Sequence, residues 1–303
     1  MKFGKLSSIE GLDFTLPADP PQNAEVLNKT TKPLHFYIGC TGWSMKEWVG
    51  KVYPKGSKSK DYLRHYANQF NTIELNTTHY RIPNEDTIEK WKKESSDDFR
   101  FCPKVLQQIS HSRNLGIGSE QVLNFCVSIQ GLEEKLGCCF IQLPPYFGAD
   151  RLPVLRNFLE NWPNHIPLAV EVRHESWFES PQATQSLTTL LQAYNVSTVI
   201  TDVAGRRDVL HMHLSTDTAM IRFVGNGLHP SDYRRVDDWI ERLNKWHQMG
   251  LKQVFFFTHE PDNILAPDLA HYLFGKLQSY QHIVVRGPKF VEDDQSGEQM
   301  SLF

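Results

Sequence analysis

No stretch of this 303-residue chain is apolar for long enough to cross a bilayer. Its opening, MKFGKLSSIEGLDF, has no apolar core of the kind a secretory leader needs, so a cytosolic address is expected and a membrane one is not. No C-x-x-C pair occurs among the five cysteines, and their number is odd. That argues against a disulfide framework and against a zinc site. Cys40, Cys102, Cys138 and Cys139 fall in apolar strand-like runs and Cys126 on a helical pattern, so reduced core thiols are expected. Basic charge is also short. The net charge of −3 argues against a strongly basic nucleic-acid binder. From Gly287 onward Lys289 stands against Glu292, Asp293, Asp294 and Glu298, so this end carries the whole −3 and the rest is formally neutral.

What the chain does have is alternation. Hydrophobic residues make up 40% and charged residues 22%, a balance that can bury a sizeable core. Residues 1–34 hold Pro17, Pro20, Pro21 and Pro33 with little periodicity, and predict an extended arm laid over the domain. Eight short apolar runs then alternate with helix-period segments: 36–40, 72–76, 100–104, 138–143, 168–173, 197–202, 220–224 and 253–258. Ser119 is placed to cap a helix ending near Gly137, Ser231 to open one closed by Gly250, and Pro267 to begin another. Residues 203–218 leave room for a short helix at best. Near-continuous apolar strands separated by helices imply a covered parallel sheet. An open doubly wound sheet usually carries a glycine-rich phosphate loop after its first strand, whereas CTGW stands here. The expectation is one TIM-type (β/α)8 barrel over 35–286, followed by a flexible acidic tail over 287–303.

Barrel enzymes place their chemistry at the C-terminal ends of the strands. Those ends carry Trp43, Glu74, Asn76, Tyr80, Lys104, His111, Gln142, Glu171, Arg173, Trp177, Asp202, Arg222 and His259. Unpaired charge inside a parallel barrel is costly, so six ionisable residues from five strands suggest a site. Glu74 and Glu171 are the candidate acid and base, joined by His111 and Asp202; Lys104, Arg173 and Arg222 are candidate anion holders. Asn76, Tyr80, Gln142, Trp177, Trp43 and His259 are candidate substrate contacts. A carboxylate pair also suits glycoside hydrolysis. No metal is required, although Glu171, Asp202, His259 and Glu260 are of types that surround a divalent ion. The alternative to a site is a structural set of buried ion pairs filling the barrel top.

Long ordered runs carry a resemblance: IGCTGWSMKEWVGKVYP, YLRHYANQFNTIELNTTHYRIP, WKKESSDDFRFCPKV and ISHSRNL, then FIQLPPYF, AVEVRHESWF, ITD and IRFVG. Over about residues 35–280 they resemble the YecE-like family, a domain of unknown function. The resemblance implies a TIM-like barrel with no established activity. FFFTHEPDN departs from the family's usual Asn-rich last strand, so His259 or Glu260 would stand in for that Asn.

Two further features bear on partners. Lys46, Lys51, Lys55, Lys58 and Lys60 interleave with Trp43, Trp48 and Tyr53 after the first strand, a pattern that fits either nucleic-acid contact or a loop packed down by its aromatics. The ending QMSLF resembles the pentapeptide with which bacterial replication and repair proteins dock on the DNA sliding clamp, with Gln299, Leu302 and Phe303 as the contacts. Together these features lead to a DNA-associated barrel enzyme acting on a phosphate-containing or nucleotide substrate. The competing readings are a sugar or sugar-phosphate hydrolase or isomerase, and a non-catalytic ligand-binding protein.

Overall fold

Strand and helix alternate from Leu34 to Leu277 in a computed structural model that describes Gly4 and residues 6–290. The parallel strands are β1 (Leu34–Gly39), β2 (Thr72–Leu75), β3 (Arg100–Pro103), β4 (Cys139–Gln142), β5 (Leu168–Glu171), β6 (Ser197–Asp202), β7 (Thr218–Val224) and β8 (Gln253–His259). A ninth, β9 (Ile283–Arg286), was not foreseen. The helices are α1 (Asn23–Val26), α2 (Tyr62–Gln69), α3 (Glu85–Glu94), α4 (Gln107–Ser110), α5 (Gln121–Gln130), α6 (Leu152–Glu160), α7 (Pro181–Ala193), α8 (Pro230–Met249) and α9 (Ala266–Leu277).

The fold is α/β with a mainly parallel sheet in a TIM-like arrangement, but the expected closed ring of eight strands is not formed. Seven strands run in the order β4-β5-β6-β7-β8-β1-β9, and β2-β3 form a separate pair. The reason at the first seam is β9, which pairs with residues 34–37 of β1 and takes the lower edge that β2 would need. Side chains stitch that seam instead. Asn71 Oδ1 accepts from Ile38 N at 2.7 Å and Asn71 Nδ2 donates to Phe36 O at 2.9 Å. The Tyr66 hydroxyl accepts from Cys40 N at 2.7 Å and donates to Thr72 O at 3.0 Å. Gly39 lies so close to the Thr72 carbonyl that a Cβ would collide with it. Only at the top do the backbones meet, Glu74 N donating to Cys40 O at 3.0 Å. The β3–β4 seam is held by Gly137 N to Phe101 O at 2.7 Å and Val105 N to Phe140 O at 2.8 Å.

Local chemistry accounts for the helix ends. His229, not Ser231, caps α8, its Nδ1 accepting from Ser231 N, while the Asp232 carboxylate reaches back to His229 N at 2.9 Å. Gly250 closes the helix with φ of 130°, as expected of a glycine there. Ser119 does not cap α5, because its hydroxyl donates to Gly116 O at 2.7 Å, and α5 stops at Gln130 short of Gly137. Residues Ala204–Val209 form only a short 3-10 segment between β6 and β7.

The arm is largely irregular, with α1 its one helical piece among the described residues. It is tied to the barrel by buried Asn23, whose amide bridges Met212 O at 2.8 Å and Leu214 N at 2.9 Å. At the other end, the first residues assigned to the tail are packed. Lys289 N donates to Gln69 Oε1 at 2.8 Å, and Phe290 stacks on His271 at 4.4 Å. Residues 291–303, including Gln299, Leu302 and Phe303, lie outside the described residues.

Candidate functional site

Strand parity builds the site. Cys102, Phe140, Ala169, Val199, Met220, Phe255 and Phe257 form one buried cluster inside the barrel. Side chains of a strand repeat a face every two residues. Two positions above this cluster come Lys104, Gln142, Glu171, Thr201, Arg222 and His259, and Glu74 stands two above Thr72. Glu74, Lys104, Gln142, Glu171, Arg222 and His259 are joined in one hydrogen-bonded layer.

Arg222 is its centre. Its Nε and Nη2 donate to the two oxygens of Glu74 at 2.8 and 2.9 Å, and Nη1 donates to Glu171 Oε2 at 2.9 Å. Glu74 also accepts from Asn76 Nδ2 at 2.9 Å and lies 3.0 Å from His259 Nε2. Glu171 accepts from Gln142 Nε2 at 2.8 Å and from Arg173 Nε at 2.7 Å. Lys104 Nζ donates to Gln142 Oε1 at 3.0 Å, so Gln142 relays between lysine and carboxylate. Bidentate, fully buried pairing of this kind is strong only because each carboxylate oxygen is satisfied.

The electrostatics run against Glu74 and Glu171 as an acid and base pair. Burial alone would raise the Glu171 carboxyl, yet Arg173 and Arg222 with the Gln142 hydrogen bond hold it down at about 2. Burial is likewise outweighed at Glu74, where Arg222 and His259 hold the carboxyl well below its ordinary value. Neither carboxyl is protonated near neutral pH, so neither suits a general acid, and a base of such low affinity for protons is a poor one. Their geometry is that of counter-ions. Lys104 moves the other way: burial and the nearby Arg222 outweigh the two carboxylates and bring its ammonium down to about 8. His111 lies beside Ser110, its Nδ1 2.9 Å from the hydroxyl, and burial with the Lys104 charge lowers its imidazole.

A cavity of about 1110 Å³ opens above this layer. Glu74, Asn76, Arg222 and His259 lie on its barrel side, and the rim after β7 and β8 supplies Asn226 and Glu260. Its remaining wall is the arm, residues 6–12 and Phe14 among the lining. Glu260 is buried, its Oε2 accepting from Gly227 N at 2.7 Å while Oε1 has no partner among the described residues. Burial raises its carboxyl to about 7, with Asp232 adding to the effect.

Asp202 does not join them. One residue off the interior parity, it points outward, where Arg235 Nη2 lies at 2.8 Å, Trp239 Nε1 at 2.8 Å and Arg207 completes its pairing. Trp177 is fully buried and donates to Phe147 O at 2.8 Å, a packing role. Trp43 packs edge-on against Trp91 at 5.9 Å and lines a different cleft. Tyr80 is 75% exposed beside His79 rather than inside the cavity. The basic loop follows its packed alternative, since Trp48 and Tyr53 are buried and Lys51 pairs with Asp268 at 2.5 Å. With Asp202 turned away, the four-residue divalent site does not assemble, and no group of three or more His, Cys, Asp or Glu able to hold a metal occurs among the described residues. No helix of the described residues is long and apolar enough to cross a membrane. The cavity's arm wall and its Glu260 rim were not read as one site from sequence, because residues 1–34 have no periodicity to place them.

The family model described as "Protein of unknown function DUF72" matches residues 37–293. The chain is 33% identical over 260 residues to the UPF0759 protein YecE of Escherichia coli, covering 80% of this chain and 92% of that one. It is 28% identical over 250 residues to the UPF0759 protein YunF of Bacillus subtilis, covering 72% and 86%. A crystal structure of a DUF72 family protein from Enterococcus faecalis is similar in fold, with a TM-score of 0.64 at 20% identity, covering 82% of this chain and 99% of that one.

Proposed function

Starting from the fact that this chain belongs to the DUF72 family, whose members named above carry no stated activity, we propose that it is an acid–base enzyme acting on a small phosphate-containing substrate at the barrel mouth. The observation that carries this reading is Lys104. It is the lysine of a buried layer whose carboxylates are already committed to Arg222, and it loses its proton at about 8. With Arg173 and Arg222 against Glu74 and Glu171, guanidiniums and carboxylates balance before Lys104 and His259 are counted. A protonated Lys104 therefore leaves one positive charge for an anion, and a deprotonated one is a base close to working pH. Hydrolysis of a sugar by paired carboxylates needs one of them protonated, which the low Glu74 and Glu171 values oppose.

The test is a comparison of ribose 5-phosphate with ribose. The phosphate ester is expected to raise the melting temperature of the wild type and to slow reductive methylation of Lys104, and Lys104→Met to lose that shift. Equal shifts with ribose, or none with the ester, would remove the reading. The QMSLF ending adds a partner to it: Gln299, Leu302 and Phe303 are suited to a sliding-clamp pocket, and tethering would raise local concentration on DNA without a basic surface. Removing residues 299–303 is expected to abolish binding to a purified bacterial clamp; binding that persists would discard the tether.

A further inference from the structure

The family match begins at residue 37, yet the outer wall of the cavity is made by residues before it. Leu6, Ile9, Leu12 and Phe14 line the cavity opposite Glu74 and Arg222. The segment is fastened at its two ends. Arg207 Nη2 donates to Phe14 O at 3.0 Å and to Thr15 O at 3.1 Å, and the same guanidinium is held by buried Asp202. The Phe14 ring lies 4.9 Å from the Arg235 guanidinium and 5.5 Å from that of Arg207. Further along, Asp19 accepts from Arg242 and Trp246 of α8 at 2.8 and 2.9 Å. At the other end Gly205 N donates to Gly4 O at 3.1 Å. Between these points the described residues bond only to one another, as Glu10 N to Ser8 Oγ at 3.2 Å and Leu12 N to Ile9 O at 3.3 Å. Leu6 is 42% exposed and Ile9 and Leu12 are only half-buried, so the apolar contacts that hold the middle down are partial.

A span pinned at both ends, with no hydrogen bond from residues 6–12 to the barrel among the described residues, opens at low cost while its anchors stay. We propose that residues 6–15 are a size-selecting strap, specific to this chain's arm, that restricts the barrel mouth to ligands fitting beneath it, with Arg207 as its latch. The Asp202–Arg207 contact gives the outward carboxylate a function: it positions the latch and touches no ligand. The proposal deepens the reading of the mouth as a small-anion site and rests on it for the ligand's chemistry, but the wall itself is testable without any ligand.

The experiment uses the full chain carrying Thr41→Cys, a cavity-lining position, all five native thiols being buried. A small methanethiosulfonate and a maleimide on a polyethylene glycol chain are compared for their rates of labelling. Arg207→Ala is expected to raise the bulky-to-small rate ratio by about tenfold or more. Phe14→Ala provides a second release should Arg207→Ala fold poorly. An unchanged ratio in a variant that melts cooperatively overturns the strap. Addition of ribose 5-phosphate is expected to slow the small reagent; if it does not while the ratio still rises, the strap stands and the anion reading falls.

Discussion

Two buried ion clusters sit at the top of the barrel and face opposite ways. The inner one centres on Arg222 between Glu74 and Glu171; the outer one centres on Arg235 between Asp202 and Asp232. All six groups are buried, and in both clusters the guanidinium is held by two carboxylates. The difference is the face. Arg222 and Glu74 open onto a cavity, whereas Arg235, on the buried face of α8, has Phe223 at 4.1 Å and donates to Val224 O at 3.1 Å. A charged residue at the end of a barrel strand is therefore not a site by that position alone. Which way its strand turns it decides whether a ligand can reach it.

The largest expected effect tests the sealed cluster. Asp202→Ala takes from Arg235 one of its two carboxylates and from Trp239 Nε1 its acceptor in a dry environment, and is expected to cost about 3–5 kcal/mol of stability. Chemical denaturation would measure it. At a temperature where the variant is folded, loosening the Arg207 latch should lower its affinity for ribose 5-phosphate far less than Lys104→Met does; an equal loss without unfolding would erase the distinction between the clusters.

Next comes Lys104, buried and joined to the inner cluster through Gln142. Its folded value of about 8 lies below the ordinary 10.5, so between these two the unfolded chain holds more protons and stability rises with pH. The rise across that window is about 3 kcal/mol by the size of the shift. Lys104→Met should lack it, shown by the difference between variant and wild type in denaturation at pH 7 and pH 10. Equal pH dependence in the two proteins would mean that Lys104 keeps its ordinary affinity for protons and has no claim to acid–base work.

How much of this was legible follows from the same parity. Glu74, Lys104, Gln142, Glu171, Arg222 and His259 were all named from strand ends, and each is two residues beyond a buried interior side chain. Counting on from Val199 reaches Thr201, not Asp202, so the outward turn of Asp202 was readable from period two and was overridden by its charge. The pairing of the two carboxylates was not readable. That Glu74 and Glu171 serve Arg222 depends on distances between strands far apart in sequence, which no local pattern carries. The opened ring was hidden for a similar reason: Ile283–Arg286 is a short run after the last expected helix, and only its pairing with β1 shows that it displaces β2.

Glu260 gives a smaller effect of opposite sign. Its carboxyl is raised from 4.5 to about 7, so the folded chain holds the extra proton and stability falls as pH rises through that window. Glu260→Gln removes the titration and should be the more stable protein at pH 8 by about 2 kcal/mol, less than the full shift because the residue borders an open cavity. At pH 4 the two should melt alike. A constant difference at both values would point to packing against Gly225 instead of charge.

The smallest effect serves as the control for both clusters. Lys252 and Asp217 form an ion pair at 2.6 Å, shorter than several contacts of Arg222, but their side chains are 48% and 38% exposed. Water already solvates both charges there, so Lys252→Ala is expected to cost less than about 1 kcal/mol, and 0.5 M salt should diminish the cost further. Denaturation with and without salt measures it. Should this pair cost as much as Asp202→Ala, contact distance would outrank burial, and burial would not set the two clusters apart from a surface ion pair.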